Sequence, residues 1–334
     1  MHPLLSPAQT MDNLTHSLIG AALGQAGLKR RTGLAMPALI IAANLPDVDA
    51  TCFFWLDGTE HLGFRRGITH GPIALAVLPL LLAGALWGYD RWQTQRGTRP
   101  EGRLPVRFGW LLALSVIGCF SHPLFDLFNT YGIRLLEPFS DQWFYGDTLF
   151  IIDVWIIAML GGAVWISLRR ERAGRGWRWP AIGALAMLTG YVALNLVNSA
   201  NALFTLSINS KGMGAPGMTP YDAEIASPRP VLFWQRDLFI GRHNDWHLIA
   251  AEKVPSPRNA VPLTQHRCAW PDVERLKAAR PDLAAFLFWS RTPFVEQAGS
   301  GIVFRDARFY DPRVRDRFSV IVAEEPCRPL PPGQ

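Results

Sequence analysis

The sequence predicts a mostly α-helical, polytopic membrane domain followed by a small soluble α+β domain. The 334 residues are 49% hydrophobic and 18% charged, whereas charged residues make up about 25% of typical soluble proteins. The deficit is uneven, because Asp, Glu, Lys and Arg account for 29 of the first 205 residues and 31 of the remaining 129. We therefore expect an N-terminal extension over 1–10, a helical membrane domain over 11–205 and a soluble domain over 206–334.

Six apolar segments lie before residue 205, and four of them are long enough to cross a bilayer as single helices. These four are Pro72 to Gly88, Phe108 to Phe120 with its continuation, Leu149 to Leu168, and Trp179 to Phe204. The other two, Leu14 to Leu28 and Leu34 to Leu45, are short and predict either two tilted helices or a hairpin. The sequence leaves open six spans, or four spans and a hairpin.

Basic residues cluster in three alternate loops between these segments. The clusters are Lys29, Arg30 and Arg31; Arg91, Arg96, Arg99, Arg103 and Arg107; and Arg169, Arg170, Arg172, Arg175 and Arg178. One topology places all three on the same side, which the positive-inside rule makes cytoplasmic. The remaining loops and everything after Thr205 would then face the opposite compartment, which is the periplasm if the membrane is a bacterial inner membrane. Because these loops explain part of the net charge of +6, we predict no nucleic-acid partner.

After Thr205, predicted strands and a predicted helical segment indicate a small α+β domain. Predicted strands are Val231 to Ile240, Trp246 to Lys253, Gly301 to Phe304, and Arg317 to Ala323. Asp272 to Trp289 has helical spacing interrupted at Pro281. Cys268 and Cys327 could form a disulfide if the domain faces an oxidising compartment.

Ionisable residues at the ends of apolar segments are the candidates for function, because such groups are costly beside lipid. They are His16, Asp47, Asp49, His70, His122 and Asp126. In the predicted topology all six lie on the face opposite the basic loops. Imidazole and carboxylate together are ligands for divalent metals, so we expect a shared site for one or two ions, with zinc the first candidate and manganese or iron as alternatives.

His122 and Asp126 lie four residues apart, which places them on one helix face if the helix continues through Pro123. Alternatively, Pro123 begins a new turn and His122 flanks it. The sequence leaves both arrangements open.

Such a metal would activate water as a nucleophile, so the leading hypothesis is a membrane-embedded hydrolase acting at the outer face on a phosphoester or lipid-linked substrate. Asp153 or Asp147 would orient ligands or act as base, and Arg134 would bind an anionic group. The alternative is a non-catalytic membrane protein with a structural metal or His–Asp network and a C-terminal interaction domain. A transporter fits less well, because these ionisable groups lie at segment ends rather than mid-membrane. No oligomeric state is predicted.

Ordered short motifs run from Met11 to about Asp153. They are Met11-Asp12-Asn13-Leu14-Thr15-His16-Ser17, Pro46-Asp47-Val48-Asp49, Arg66-Gly67-Ile68-Thr69-His70, His122-Pro123-Leu124-Phe125-Asp126 and Phe150-Ile151-Ile152-Asp153. This set resembles the LexA-regulated inner-membrane proteins described as metal-dependent hydrolases, and the resemblance implies that location and activity. It is more loosely similar to zinc-dependent phospholipase C and P1-type nuclease domains. Arg65 stands where the family has a histidine, so one possible ligand is absent.

Overall fold

The chain divides into a helical unit and a C-terminal unit in the computed structural model, which describes residues 7–211, 223–242 and 244–330. The helical unit comprises Met1–Asp49 and Arg66–Leu194, and the C-terminal unit comprises Ala50–Arg65 and Asn195–Gln334. The predicted fold class is confirmed, since the chain is mostly helical with two small antiparallel sheets near its end. The sequence analysis placed the division at 205, whereas the two units divide between Leu194 and Asn195, and Ala50–Arg65 belongs to the C-terminal unit.

Nine helices and seven strands occur in the described residues. The helices are α1 (Pro7–Gln25), α2 (Ala35–Ala42), α3 (Glu60–Phe64), α4 (Pro72–Gln95), α5 (Phe108–Leu127), α6 (Val154–Arg172), α7 (Arg178–Lys211), α8 (Val273–Ala279) and α9 (Pro281–Trp289). The strands are β1 (Ala223–Pro228), β2 (Arg236–Arg242), β3 (Asp245–Ile249), β4 (Val261–Pro262), β5 (Pro293–Ala298), β6 (Gly301–Asp306) and β7 (Ser319–Val322). Because α1 begins at Pro7, residues 7–10 of the predicted extension are helical; residues 1–6 lie outside the described range.

Three described helices are long and apolar enough to cross a membrane: α4, α5 and α7. A fourth span is possible if α2 and the 3₁₀ segment Leu45–Phe54, bent by 51° from it, form one broken span. The predicted span from Leu149 to Leu168 is not among them, because its helix, α6, begins only at Val154 and its last turn is basic. α1 also falls outside the set, since polar residues interrupt its apolar stretch.

The helical unit is held by close packing around α1 and α2. Ile19 of α1 packs with Leu160 of α6 and Leu188 of α7, and buried residues of α2 pack with α4 and α5. Small residues allow this approach, because a Cβ added at Gly20 of α1 would lie 2.7 Å from the Leu39 carbonyl oxygen. The close approach at Gly20 therefore contributes to the relative positions of α1 and α2.

The three basic loops meet at one end of the helical unit. Lys29 pairs with Glu171, and its Nζ lies 4.3 Å from the centre of the Trp177 ring. The backbone N–H of Arg107 donates to Thr32 Oγ1 at 2.8 Å, which joins the first and second loops. From Arg107, the fifteen residues of helix leading to His122 extend about 22 Å. The ionisable residues of α5 therefore lie most of a bilayer thickness away from the basic end.

The C-terminal unit contains two antiparallel sheets, ordered β1-β2-β3-β4 and β5-β6-β7. The first sheet packs on Leu206 near the end of α7. α3 lies against α9, where Thr59 Oγ1 donates to the Asp282 carbonyl oxygen at 2.9 Å. Cys268 and Cys327 form a disulfide, as the sequence allowed.

The predicted helix over Asp272 to Trp289 is confirmed with its break at Pro281, where α9 starts. Three of the four predicted strands correspond to β3, β6 and β7 within a few residues. The predicted strand from Val231 begins late, at Arg236, because residues 230–235 form turns instead. β1, β4 and β5 were not predicted from the sequence.

Candidate metal centre

Four separate stretches of the chain bring six ionisable side chains together inside the helical unit. They are His16 on α1, Asp47 and Asp49 after α2, His70 before α4, and His122 and Asp126 on α5; all are buried. α5 continues through Pro123, so His122 and Asp126 share one helix face. This is the first of the two arrangements that the sequence left open.

Five of these side chains are spaced as ligands around an ion would be. Nε2 of His70 and Nε2 of His122 each lie 3.5 Å from Asp126 Oδ2. His16 Nε2 lies 3.4 Å from Asp126 Oδ1, and His122 Nε2 lies 3.7 Å from Asp47 Oδ1. Tetrahedral ligands at about 2.1 Å from an ion are separated from one another by about 3.4 Å. The observed separations match that geometry.

Two overlapping groups of three side chains could hold a metal ion. They are His16, His122 and Asp126, and Asp47, His70 and His122, each with ligand atoms within 4.8 Å of one another. His122 belongs to both groups, and it also stacks on His16 with ring centres 3.8 Å apart. His122 is therefore the central residue of the cluster.

The imidazoles of His70 and His122 are oriented by contacts at their other ring nitrogen. Nδ1 of His122 lies 2.7 Å from the Ala43 carbonyl oxygen, which can only accept, so Nδ1 donates and the neutral ring carries its lone pair on Nε2. Nδ1 of His70 lies 3.0 Å from Thr69 Oγ1. Among the described residues, neither Nε2 completes a hydrogen bond. Buried ring nitrogens in this state are suited to a metal ion.

Asp49 lies behind His70 and belongs to neither metal-capable group. Its Oδ2 accepts from the backbone N–H of Arg66 at 2.8 Å and from Thr69 Oγ1 at 3.1 Å. The same oxygen is 3.6 Å from His70 Nδ1. Carboxylates in this position orient a ligating imidazole. The geometry thus gives Asp49 an orienting place, where the sequence suggested a ligand.

Arg66 brings a positive charge to the centre, a role that the sequence analysis did not give it. Its Nε lies 3.2 Å from Asp126 Oδ2, and its guanidinium carbon lies 4.8 Å from the centre of the Tyr131 ring. Its φ of 55° is left-handed, which is uncommon for a residue other than glycine. The available signal was its place in the Arg-Gly-Ile-Thr-His motif, on the face away from the basic loops.

The centre holds more carboxylates than guanidinium groups. Asp47, Asp49 and Asp126 contribute three buried carboxylates, and Arg66 contributes one buried guanidinium. With neutral imidazoles, these groups sum to two negative charges. Buried net charge is costly unless it is compensated. A divalent cation would supply this compensation.

Asp153 lies beside the centre and caps α6. Its Oδ1 accepts from the backbone N–H groups of Trp155 at 3.0 Å and Ile156 at 3.1 Å. Tyr191 Oη donates to Asp153 Oδ2 at 2.8 Å. Both carboxylate oxygens therefore already accept hydrogen bonds, which suits a positioning role.

A cavity of about 20 Å³ separates Asp153 from the metal-capable side chains, and it is lined in part by His16 and Asp126. A volume of this size holds about one water molecule. Asp147, the other candidate base, lies in the loop before α6 with a left-handed φ of 46° and is in neither metal-capable group. The structure therefore places Asp153 and the metal-capable residues His16 and Asp126 around one cavity.

Arg134 lies next to the segment that carries His70 and is paired with Glu137. Its Nη1 is 2.7 Å from Glu137 Oε2, and its backbone N–H donates to the Arg66 carbonyl oxygen at 2.9 Å. Burial lowers the pKa of the Arg134 guanidinium and raises the pKa of Glu137, and the ion pair offsets both shifts in part. Glu137 was missed from the sequence, where no motif marks it.

Comparison with known proteins agrees with the motifs at the level of the family. A family model described as YdjM inner membrane protein matches residues 11–202, which include all six ionisable residues of the centre. The uncharacterized protein YfhP of Bacillus subtilis (strain 168) is 23% identical over 299 residues, covering 84% of this chain and 80% of that protein. No solved structure matches the chain. Regulation by LexA, hydrolase activity and likeness to phospholipase C and P1 nuclease sites stay predictions. Since the family model covers more than half of it, the chain belongs to the YdjM inner membrane protein family.

Proposed function

We propose that this chain is a membrane-embedded, metal-dependent hydrolase. The ligands would come from His16, Asp47, His70, His122 and Asp126. The observation that carries the proposal is the convergence of these side chains from four stretches of the chain, with ligand atoms 3.4–3.7 Å apart. Imidazole and carboxylate suit zinc, manganese or iron, and zinc remains the first candidate.

A divalent ion at this centre would make a bound water nucleophilic near neutral pH. The Ala43 carbonyl would orient the His122 ring, and the Thr69–Asp49 pair would orient the His70 ring. Arg66, beside Asp126, would stabilise negative charge that develops on a substrate. Asp153 would fix the position of α6 at the one-water cavity.

A phosphoester or a lipid-linked substrate is the class we propose. Membership of an inner-membrane family and the apolar side chains lining the cavity, Phe125, Leu149 and Ile156, favour a substrate that approaches from the lipid. Arg134 would serve an anionic group if substrate binding displaced Glu137 from it.

We also propose that the centre and the C-terminal unit face the periplasm. The three basic loops meet at the other end of the helical unit, and the positive-inside rule assigns such loops to the cytoplasm. The Cys268–Cys327 disulfide favours an oxidising compartment for the C-terminal unit.

The test is hydrolysis by purified full-length protein of a panel of phosphoesters and lipid phosphates, with and without chelator. His122→Ala and Asp126→Ala should bind less metal and lose activity, while His266→Ala, which alters a histidine of the C-terminal unit, should retain both. If both centre variants keep wild-type metal content and activity, the catalytic proposal fails.

A structural metal is the second candidate, and the confinement of the centre favours it. His70 and His122 are fully buried, and the adjoining cavity has room for about one water molecule. In that case His122→Ala would lose metal and lower the melting temperature, and no substrate of the panel would be turned over by the wild type. Chelator-sensitive turnover by the wild type would exclude this candidate.

A further inference from the structure

Arg236 of the C-terminal unit ties the loop before β2 to helix α7. Its Nε donates to Ser199 Oγ at 2.8 Å, and its Nη2 donates to the carbonyl and side-chain oxygens of Asn195 at 3.0 and 2.8 Å. Its Nη1 donates to the carbonyl oxygens of Phe233 and Gln235 at 2.5 and 2.9 Å. One buried guanidinium therefore fixes the 230–235 loop at a defined height along α7.

Helix length places the end of a membrane span that starts at Arg178 at about this height. α7 starts in a basic loop at Arg178, and about 20 residues of helix cross a hydrocarbon core of about 30 Å. Counted from Arg178, the far edge falls near residue 198, between the two residues that Arg236 contacts. The exposed apolar side chains of Leu194, Leu196 and Val197 lie at this height, and those of Phe204 and Ile208 lie further along α7.

Two other contacts between the C-terminal unit and α7 lie further along the helix. Leu206 packs on the first sheet, and Asn209 Nδ2 donates to the Pro255 carbonyl oxygen at 2.6 Å. Asn209 is eleven residues past position 198, or about 16 Å along the helix. The 230–235 loop is thus the part of these contacts that lies nearest the bilayer.

Two consecutive turns present apolar side chains on this loop. The Leu232 N–H donates to the Pro230 carbonyl oxygen, and the Gln235 N–H donates to the Leu232 carbonyl oxygen, both at 2.8 Å. Val231, between them, has a φ of 67°, which is a strained value for a β-branched residue and is typical of functional positions. Val231 and Trp234 are 51% and 55% exposed.

We propose that the 230–235 loop is an interfacial membrane anchor, with Val231 and Trp234 seated among the lipid headgroups where α7 leaves the bilayer. Lipid is the occupant because Arg236 holds the loop at the height that helix length gives for the exit of α7 from the bilayer, and because the two exposed side chains of the loop are apolar. Tryptophan is enriched at this interface, since its ring is apolar and its N–H is polar. The anchor does not depend on the metal centre.

Spin-label accessibility tests the anchor in the full chain, reconstituted in phosphatidylethanolamine–phosphatidylglycerol vesicles. Labels are placed by Val231→Cys and Trp234→Cys after the two free cysteines, Cys52 and Cys119, are replaced by Ser. A label at Met187, which is exposed within the span of α7, is the lipid control. Val254, exposed beside Pro255, is the water control. Collisions with oxygen, which concentrates in lipid, are compared with collisions with a water-soluble nickel chelate.

Labels at 231 and 234 should shift toward oxygen, as at 187, whereas the label at 254 should collide mainly with the nickel chelate. A ratio at either 231 or 234 equal to that at 254 would overturn the proposal. A second measurement needs no introduced cysteine and so guards against disturbed folding. The fluorescence of Trp234 is obtained as the difference between the wild type and Trp234→Phe, and brominated lipid should quench this difference. If that component is quenched by aqueous iodide instead, the anchor is refuted.

Discussion

Replacing Asp49 by Asn is predicted to weaken metal binding although it removes no ligand. The amide keeps the shape of the side chain and can still accept from Arg66 N–H and Thr69 Oγ1. It removes the negative charge 3.6 Å from His70 Nδ1. Because such a carboxylate raises the basicity of a ligating imidazole and fixes its ring, His70 Nε2 should become a weaker ligand.

The expected loss is about 10- to 100-fold in affinity, or about 1.4 to 2.7 kcal/mol. Asp126→Asn should cost more, because Asp126 Oδ2 lies 3.5 Å from Nε2 of both His70 and His122. Affinity is measured by competition of metal-free protein in detergent against a chromophoric zinc chelator. The order wild type, Asp49→Asn, Asp126→Asn should appear in a single titration series.

Asp90→Asn is the matched control. Asp90 is also a buried carboxylate with cationic partners, at 3.1 Å from Arg99 Nε and 2.9 Å from Arg103 Nη1, but it lies at the basic end of the helical unit. Its replacement should leave zinc affinity unchanged. The reasoning is refuted if folded Asp49→Asn binds zinc as tightly as the wild type, or if Asp90→Asn weakens binding as much.

Three further predictions concern the framework. Gly20→Ala should lower both the melting temperature and the zinc affinity, because the added Cβ forces α1 away from α2. Gly84→Ala, with no described atom within 4 Å of its added Cβ, should change neither. Equal effects of the two substitutions would contradict this prediction. Arg236→Met should cost about 3 kcal/mol in denaturant unfolding, since it removes charged hydrogen bonds to α7; a loss under about 1 kcal/mol would contradict it. Cys268 and Cys327 are 59 residues apart, and replacing both by Ser should lower the free energy of unfolding by about 4 kcal/mol. An unchanged free energy of unfolding would show that the disulfide contributes no stability.

The convergence of the site was predictable because it follows from chain order. Alternating basic loops determine which ends of the helices lie together, and helix length places His122 about 22 Å from Arg107. Pro281 likewise marks the break between α8 and α9, because proline is favoured in the first turn of a helix. These features depend on periodicity and charge, which a single sequence displays.

The contacts that refine the site were not predictable in the same way. The place of Arg66 beside Asp126 depends on a left-handed backbone, and the orienting position of Asp49 depends on the bend after α2. The pairing of α3 with α9 relies on Gly63 meeting Ala285, where an added Cβ would lie 3.1 Å from the alanine Cβ. Irregular backbone and close approach leave no periodic signal in the sequence.

X-ray absorption at the zinc edge tests most directly whether these side chains share an ion. Zinc-loaded wild type should show only nitrogen and oxygen ligands at about 2.0–2.2 Å, with at least two imidazoles. His122→Ala should lose one imidazole or the ion itself. Sulfur at about 2.3 Å, or a wild-type spectrum retained in His122→Ala, would contradict a metal centre built on this cluster.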